Sequence, residues 1–385
     1  MNILHLSGLP LWDLGHGKGR VSTYLPIKGF VDKGHSVYFI TNNPKQKSES
    51  VDGIVIKRIR PSGSRPLLKI ILYPITAFGF LFTGIIHALK QKPEVIYAHT
   101  TEMSLPAFLL SKLFRAKYVL RLYGVTYQKA VRFKLSYLFL YLAFWLKSDL
   151  YILTNDGSSA NEVALSFGVP KGKIHFLKNG INKSWSKNVP NEVLKKQIAP
   201  NGESILLSVS RLTNWKQVDL IIKALHGLIS LNKNVKLVVV GDGPEKEKLK
   251  KICSDLDIVE YVIFTGALHH DSIESYMSVA DVFINMSAWG SLNNSVFEAM
   301  ICGKIVMVLN EGTTKGLIEN KKTGILVEKE EIEKLPEIIN NILINSQLRE
   351  QIGKSAQKHM IGEWPTWEER VACEVGLIEK LNSNQ

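Results

Sequence analysis

The chain has 385 residues, of which 45% are hydrophobic and 22% are charged. This length allows two domains with separate cores, and the composition excludes a disordered or fibrous protein. The net charge of +13 is unevenly placed: residues 1–180 carry 24 Lys and Arg against 9 Asp and Glu, and the remainder carries 24 against 26. A basic half of this kind predicts an anionic partner, such as nucleic acid, phospholipid or an acidic polymer.

The three cysteines, Cys253, Cys302 and Cys373, follow no metal-binding or redox spacing. We expect them to be buried thiols in a reducing compartment. The first residues lead straight into an apolar strand without a basic segment, so no signal peptide is predicted. The expected location is the cytoplasm, with peripheral attachment to the inner face of the cell membrane as a further option.

The first half opens as a βαβ unit. A strand at residues 3–6 is followed by a glycine-rich loop, a helix at residues 21–33 and a second strand at residues 37–41. The loop lies at the carboxyl end of the first strand, where open α/β sheets bind ligands. It lacks the spacing of a dinucleotide-binding fingerprint, so a ligand-binding loop and a plain turn both remain open.

Two later strands of this half end in side chains that favour a site. His99 ends the strand at residues 94–99, and Tyr123 follows the strand at residues 117–122. The carboxyl ends of parallel strands are the usual place for a site in an α/β sheet. A lone histidine at such a position is also often structural, so both interpretations stand.

Two apolar segments of the first half are candidates for contact with a membrane. Residues 70–89 approach the length of a bilayer span, but we expect Pro74 to interrupt them. A buried core helix and a helix at a membrane interface both remain open. Residues 129–147 mix aromatic and basic side chains, as a helix at a membrane surface or against a partner would.

The second half repeats the alternation of strands and helices, and one strand-to-helix loop carries two cations. Arg211 and Lys216 bracket the loop between a strand at residues 204–209 and a helix at residues 218–231. The pair is suited to a diphosphate, with the dipole of the following helix adding to the attraction. The alternative is two exposed basic residues on an ordinary loop.

A second stretch, residues 285–309, contains a polar loop, a short helix and a buried strand. Asn294 and Glu298 are four residues apart and therefore share one face of the helix. Backbone N–H groups at the helix start suit a phosphate or sugar oxygen, and the Glu298 carboxylate can accept two hydrogen bonds from a ribose diol. A capped helix with a solvated glutamate is the alternative.

Taken in order, these motifs resemble a family 4 glycosyltransferase of GT-B fold. The resemblance rests on the N-terminal glycine loop, KNGIN, SRLTNWK, VVVGDGPEKEKL, FTGAL, ADVFINMS and NSVFEAMICGKIV. It implies an α/β protein in which two doubly wound Rossmann-like domains face a cleft. We expect an acceptor-side domain at residues 1–180, a nucleotide-sugar-binding domain at residues 181–365, and a helix at residues 366–385 that returns to the first domain.

The resemblance also implies a nucleotide-sugar donor held mainly by the second domain. Arg211 and Lys216 would hold the diphosphate and stabilise charge on the leaving phosphate oxygen, so they are the catalytic candidates. His99 and Tyr123 would lie on the acceptor side. The remaining candidates for donor binding are Gly17, Gly19, Thr265, Gly266, Ala267, Gly290, Leu292, Asn293, Asn294 and Glu298.

Two positions depart from the family pattern. Gly290 stands where the family usually has the first glutamate of a Glu-x7-Glu pair, and Tyr123 stands where it often has a histidine. The missing glutamate normally helps to hold the transferred sugar, so the sugar is not predicted. No Asp-x-Asp motif is present, and we expect neither a cofactor nor an essential metal. The resemblance implies retention of anomeric configuration through attack on the same face.

The implied function is transfer of a sugar from a nucleotide sugar to a glycan or lipid-linked acceptor, in the assembly of cell-surface polysaccharide or glycolipid. An anionic membrane surface is a further expected partner. The main alternative is a degenerate protein that binds a nucleotide sugar without turnover. A nucleic-acid-binding protein would also explain the basic half, but its basic residues are spread over strands and loops without an RNA-binding aromatic signature, so no nucleic acid is expected.

Overall fold

The computed structural model describes residues 1–43, 49–59, 66–125, 137–288, 292–312 and 314–383, with the backbone alone at residues 66–70. By their internal contacts these residues form two compact units. The first contains residues 1–155 and 159–180 together with the chain from Trp367 onward, and the second contains residues 156–158 and 181–366. Each is built on one mainly parallel sheet, which confirms the predicted α/β class.

The strands of the first unit are short apolar runs, as expected for a sheet covered by helices on both faces. They are β1 (Asn2–Ser7), β2 (Ser36–Thr41), β3 (Ser50–Val51), β4 (Ile54–Arg58), β5 (Val95–His99), β6 (Lys117–Leu122), β7 (Leu150–Thr154) and β8 (Ile174–Leu177). Their order is β3-β4-β2-β1-β5-β6-β7-β8, and β3 alone among them pairs antiparallel. Successive strands are added in opposite directions from β1, so β1 and β5 flank the topological switch point.

Helices of the first unit pack on the two faces of this sheet. They are α1 (Val21–Asp32), α2 (Pro66–Gln91), α3 (Ser104–Phe114), α4 (Leu138–Trp145), α5 (Ala160–Ser166) and the last helix of the chain, α13 (Trp367–Ser383). One core contains apolar side chains of α1 and α13, including Phe30 and Val375. The other contains side chains of α2 to α5, including Phe80 and Leu110. The last helix of the chain therefore completes the core of the first unit.

The second unit has a six-stranded parallel sheet. Its strands are β9 (Ser204–Val209), β10 (Val235–Val240), β11 (Val262–Gly266), β12 (Val282–Asn285), β13 (Ile305–Leu309) and β14 (Ile325–Val327). Their order is β11-β10-β9-β12-β13-β14. The direction of addition reverses between β9 and β12, so the loops that follow these two strands flank the switch point.

Helices of the second unit lie between these strands in the sequence. They are α6 (Glu192–Ile198), α7 (Val218–Leu231), α8 (Lys246–Asp255), α9 (His270–Val279), α10 (Asn294–Ile301), α11 (Leu335–Ile344) and α12 (Ser346–Glu363). Sequence analysis did not predict α6. The side chain of Asn191 caps it by accepting a hydrogen bond from the Leu194 N–H at 3.0 Å.

Two local expectations are wrong. The helix α2 runs through Pro74 without a break, and because Pro74 is exposed, water can satisfy the backbone groups that the proline leaves unpaired. Cys373 is exposed and Cys302 is only partly buried, so burial of all three thiols is not observed. Of the helix predicted at residues 129–147, positions 129–136 lie outside the described residues, and α4 covers residues 138–145.

Candidate functional site

The switch point of the second sheet brings two of the predicted motifs together. The Ala288 N–H, after β12, donates a hydrogen bond of 2.9 Å to the carbonyl of Trp215, in the loop after β9. The Ser295 hydroxyl, in the first turn of α10, donates to the Val209 carbonyl at 2.8 Å. The loop that carries Arg211 and Lys216 therefore lies beside the start of α10.

Lys216 and Arg211 differ sharply in their surroundings. The Lys216 side chain is 6% exposed and its Nζ lies 4.1 Å from the centroid of the Trp215 ring, whereas Arg211 is exposed. Burial lowers the pKa of Lys216 to about 7, although the nearby Asp156 carboxylate acts in the opposite direction. The description of two exposed basic residues is therefore wrong for Lys216. A buried lysine whose pKa lies near 7 is readily protonated when an anion binds beside it, and the anion then stabilises the charged form.

The start of α10 is fixed by a side-chain cap. The side-chain oxygen Oδ1 of Asn293 accepts a hydrogen bond from the Val296 N–H at 3.2 Å and lies 2.7 Å from the Ser295 hydroxyl oxygen. Leu292, just before the cap, is buried, and Asn294 is the first residue of the helix. Another candidate of this stretch, Gly290, lies outside the described residues.

Glu298 lies one turn into α10 and has a partner that the sequence did not reveal. Its Oε1 is 2.8 Å from Nε2 of His270, the first residue of α9. The His270 ring also stacks on Trp185, with ring centroids 5.3 Å apart. Burial alone would lower the pKa of His270, but the hydrogen bond and charge of Glu298 raise it. Glu298 is therefore a buried carboxylate that is hydrogen-bonded to His270, and the solvated alternative is wrong.

Thr265, Gly266 and Ala267 occupy the same sheet edge, at the end of β11. The Gly266 carbonyl accepts a hydrogen bond of 2.9 Å from the Gly241 N–H, at the end of β10. The three residues are therefore tied to the neighbouring strand, and their backbone lies at the carboxyl edge where the other candidates of this unit are found.

In the first unit, the glycine loop follows β1 at the switch point. Gly17 and Gly19 have φ of +71° and +106°, which disfavours other residues. A Cβ at Gly19 would also lie 2.8 Å from the backbone nitrogen of Asp13. The Asp13 carboxylate accepts a hydrogen bond of 2.7 Å from Nε of Arg20, which closes the loop. The loop is thus a specific folded turn at the ligand-binding edge of its sheet.

His99 and Tyr123 are connected to a third residue, His5, that sequence analysis missed. The Tyr123 oxygen lies 2.7 Å from Nδ1 of His99, and Nε2 of His99 lies 2.8 Å from Nδ1 of His5. Burial lowers the pKa of His5 to about 3 and that of His99 well below its usual range, so both rings are neutral. No periodicity could reveal this contact, because β1 and β5 are neighbours that lie far apart in sequence.

The direction of the hydrogen bonds between His5, His99 and Tyr123 follows from the surroundings of His5, at the buried end. Nε2 of His5 has no partner among the described residues. A buried N–H without a partner is rarer than an unpaired acceptor, so we infer that the His5 proton is on Nδ1. His5 then donates to His99, and His99 donates to the Tyr123 oxygen. Tyr123 keeps its own O–H to donate elsewhere.

Behind this edge lies a buried group of charges that also escaped prediction. The Glu374 carboxylate of α13 accepts hydrogen bonds from Arg121 at 2.7 Å and from the Tyr97 hydroxyl, and it pairs with Arg370 at 2.6 Å. Burial alone would raise the pKa of Glu374, but the two arginines lower it. The sequence gives no signal for a pair of residues so far apart as Arg121 and Glu374.

Among the described residues, no three His, Cys, Asp or Glu side chains are grouped so as to hold a metal ion. The expectation that no metal is essential stays a prediction.

Two family models match successive parts of the chain. The model described as Glycosyltransferase Family 4 matches residues 21–185, and the model described as Glycosyl transferases group 1 matches residues 191–359. The first match lies mostly in the first unit and the second lies in the second unit.

Individual proteins agree with the two models. An uncharacterized glycosyltransferase of Methanocaldococcus jannaschii is 24% identical over 373 residues, which cover 92% of each chain. A GDP-mannose-dependent alpha-(1-6)-phosphatidylinositol monomannoside mannosyltransferase of Mycobacterium tuberculosis is 25% identical over 211 residues, which cover 52% of this chain and 54% of that protein.

Among solved structures, sucrose-phosphate synthase of Thermosynechococcus elongatus aligns over the whole of both chains, with a TM-score of 0.81 and 20% identity. At that identity the likeness establishes the fold. Family models across both halves and a shared fold over the full length give one conclusion: the chain belongs to the family 4, group 1 glycosyltransferases and has their GT-B fold.

Proposed function

We propose that this glycosyltransferase moves a hexosyl group from a nucleotide-diphosphate sugar to a glycan or lipid-linked acceptor, in the assembly of cell-surface polysaccharide or glycolipid. One observation carries the donor half of the proposal. A buried lysine, an exposed arginine and a capped helix start lie together at the switch point of the second sheet. Cations beside the N-terminus of a helix are what a diphosphate requires.

Each donor contact follows from the chemistry of its group. Lys216 and Arg211 would bind the diphosphate, and the backbone of residues Leu292 to Asn294 at the start of α10 would face the donor sugar and phosphate. Glu298, held by His270, would accept the ribose hydroxyls. Backbone of residues 265–267 would contact the base, and the loop at Gly17 and Gly19 would approach the donor from the first unit. Gly290 would lie near the transferred sugar.

In the proposed reaction, the bond between the anomeric carbon and the diphosphate oxygen breaks while the acceptor oxygen bonds to that carbon. Negative charge develops on the leaving phosphate oxygen, where Lys216 and Arg211 would stabilise it. The phosphate would take the acceptor proton, and attack on the same face would retain the anomeric configuration. Tyr123, oriented by His99, would donate its O–H on the acceptor side. NMR of the new linkage checks this, because an inverted anomer rules out same-face attack.

The acceptor is proposed from a relative that matches about half of the chain. This relative, the mannosyltransferase of Mycobacterium tuberculosis, is named for a phosphatidylinositol monomannoside acceptor. A lipid-linked acceptor also agrees with the excess positive charge of residues 1–180, which would favour peripheral attachment at the inner face of a membrane.

The decisive experiment is a thermal-shift screen of UDP-, GDP- and ADP-sugars on the full chain, followed by nucleotide-release assays with each binder. A donor at 100 times its Kd should stabilise the fold by about 2.7 kcal/mol. Lys216→Gln should lose that stabilisation, whereas Lys223→Gln, an exposed lysine on α7, should keep it.

Slow hydrolysis of one bound donor would support the enzyme and identify its donor. A binder without release, even with lipid extract, would favour the degenerate protein that binds without turnover. Absence of any binder would contradict the roles given to Lys216, Arg211 and Glu298.

A further inference from the structure

The long helix α2 presents an unusual apolar surface to solvent. Six large apolar side chains on it, each 43% to 71% exposed, are Ile71, Ile75, Phe78, Phe82, Ile86 and Leu89. Their spacing of three or four residues places all six on one face of the helix. With a rise of 1.5 Å per residue, this outer face extends for about 27 Å. Monomeric soluble proteins rarely expose a continuous apolar surface of this kind.

The opposite side of α2 is packed against its own unit. Ala77, Phe80 and Ala88 are buried there, and Gly84 allows Leu110 of α3 to approach closely. The segment Ile71–Gln91 is long and apolar enough to cross a membrane, and 28% of it is buried. Because one side of the helix belongs to the core of the sheet, α2 is placed to lie along a surface with its other side.

Neighbouring helices extend this surface. Leu109 and Leu113, one turn apart on α3, are also exposed. On α4, Trp145 is 76% exposed, and the Tyr73 ring of α2 packs against Phe139 of α4 with centroids 4.6 Å apart. Tryptophan is enriched where a protein meets the interface of a bilayer.

Cations border the apolar surface at one end. The helices α2, α3 and α4 lead into the parallel strands β5, β6 and β7, so their carboxyl-terminal ends lie at the same edge of the sheet. Exposed basic side chains at those ends are Lys90, Lys92, Lys112, Arg115 and Lys147.

Two carboxylates at this edge are already engaged. Glu94 accepts a hydrogen bond from the Asn2 N–H at 2.7 Å, and Asp149 accepts one from the Tyr118 N–H at 2.8 Å. These carboxylates are therefore not available to the basic side chains at the helix ends, and we expect those side chains to attract negative charge from another molecule. A second copy of the chain would bring the same cations to the contact.

We propose that the outer face of α2, extended by α3 and α4, docks this protein on an anionic lipid bilayer. The apolar side chains enter the boundary between headgroups and acyl chains, and the lysines and arginine at the helix ends contact lipid phosphates. Docking needs no donor and does not depend on the proposed reaction. If that reaction uses a lipid-linked acceptor, the bilayer would bring the acceptor to the enzyme.

Flotation of the full chain with vesicles tests the proposal. Vesicles of equimolar phosphatidylglycerol and phosphatidylcholine should carry the protein at low salt, and pure phosphatidylcholine vesicles should carry much less. High salt should weaken binding, because it screens the cations from the lipid phosphates. In Phe78→Gln/Phe82→Gln the partition coefficient should fall at least about tenfold, since apolar area drives insertion. Lys90→Gln/Lys92→Gln should lower it by about fivefold per lysine.

A matched control removes two equally exposed apolar side chains from the second unit, in Val193→Gln/Ile344→Gln, and should bind vesicles as the wild type does. Circular dichroism and thermal melting should be unchanged in all three variants, since every altered side chain is exposed. Three outcomes would overturn the proposal: no flotation with anionic vesicles at low salt, equal binding to neutral vesicles, or flotation unaffected by the phenylalanine substitutions. A dimer in light scattering that Phe78→Gln/Phe82→Gln dissociates would assign the face to a second copy instead.

Discussion

The switch points of the two sheets present opposite chemistry. In the first unit, His5 and His99 are buried and neutral and form a hydrogen-bonded chain that ends at Tyr123. In the second unit, Lys216 is buried with a pKa of about 7, and the buried Glu298 is hydrogen-bonded to His270, whose pKa is raised. A neutral, directional edge suits the hydroxyl groups of an acceptor, and a charged edge suits a diphosphate.

The first unit also contains buried charges, so an absence of charge does not explain the difference. Its charges lie behind the edge, where Glu374 of α13 meets Arg121 and Arg370. In that position they fix the last helix to the sheet. We therefore propose that charge in the first unit serves folding and that charge in the second unit serves donor binding. Substitutions that separate stability from donor binding test this division.

The largest effect is expected for Glu374→Gln, which keeps the shape of the side chain and removes its charge. Arg121 and Arg370 would then be buried without a counter-ion, which typically costs about 3–5 kcal/mol. Urea denaturation should show this loss, and hydrogen exchange should show it in α13 and β6. Glu368→Gln, exposed on the same helix, should cost less than about 1 kcal/mol. A Glu374→Gln protein as stable as the control would show that the ion group does not hold α13.

The next effect concerns turnover. Lys216→Gln removes a cation from the charged edge, and loss of one fixed donor of this kind lowers kcat by about 10²–10³-fold. The measurement is nucleotide release with the donor found by screening, and urea denaturation of the variant should show a stable fold. Lys223→Gln should leave the rate unchanged. A rate for Lys216→Gln within about twofold of the wild type would remove Lys216 from the reaction.

Particular residues show where sequence analysis succeeds and where it fails. The strand at residues 204–209 and the helix at residues 218–231 were predicted to the residue, because apolar runs and helical periodicity are local signals. Loop motifs that follow parallel strands can also be assigned to one edge of the sheet before any contact is known.

Contacts between distant elements were not predictable. Glu374 meets Arg121 across 253 positions, and His270 meets Glu298 across 28. For α2, periodicity could not identify the buried side, because both sides are apolar and only the packed neighbours distinguish them.

A smaller effect is expected from pH. The pKa of Lys216 is about 7 without donor, and only its protonated form attracts the diphosphate. Below pH 7 the proton is already present, so donor affinity should be nearly constant. Above pH 7 binding must take up a proton, and affinity should fall by up to about tenfold per unit.

Calorimetry between about pH 6 and pH 8.5 measures this slope. Lys216→Arg stays protonated throughout and should flatten it. A slope that persists in Lys216→Arg would assign the titration to another group, such as His270, whose pKa is raised.

The smallest effect is expected at the His270–Glu298 pair. His270→Phe keeps a ring that can stack on Trp185 but removes the N–H that holds Glu298. A carboxylate without its fixed donor should bind the ribose hydroxyls less well, so donor affinity should weaken about three- to tenfold while kcat at saturation is unchanged. His269→Phe alters the adjacent, more exposed histidine and is the matched control. Tighter binding in His270→Phe would mean that His270 competes with the ribose for Glu298 and therefore weakens donor binding in the wild type.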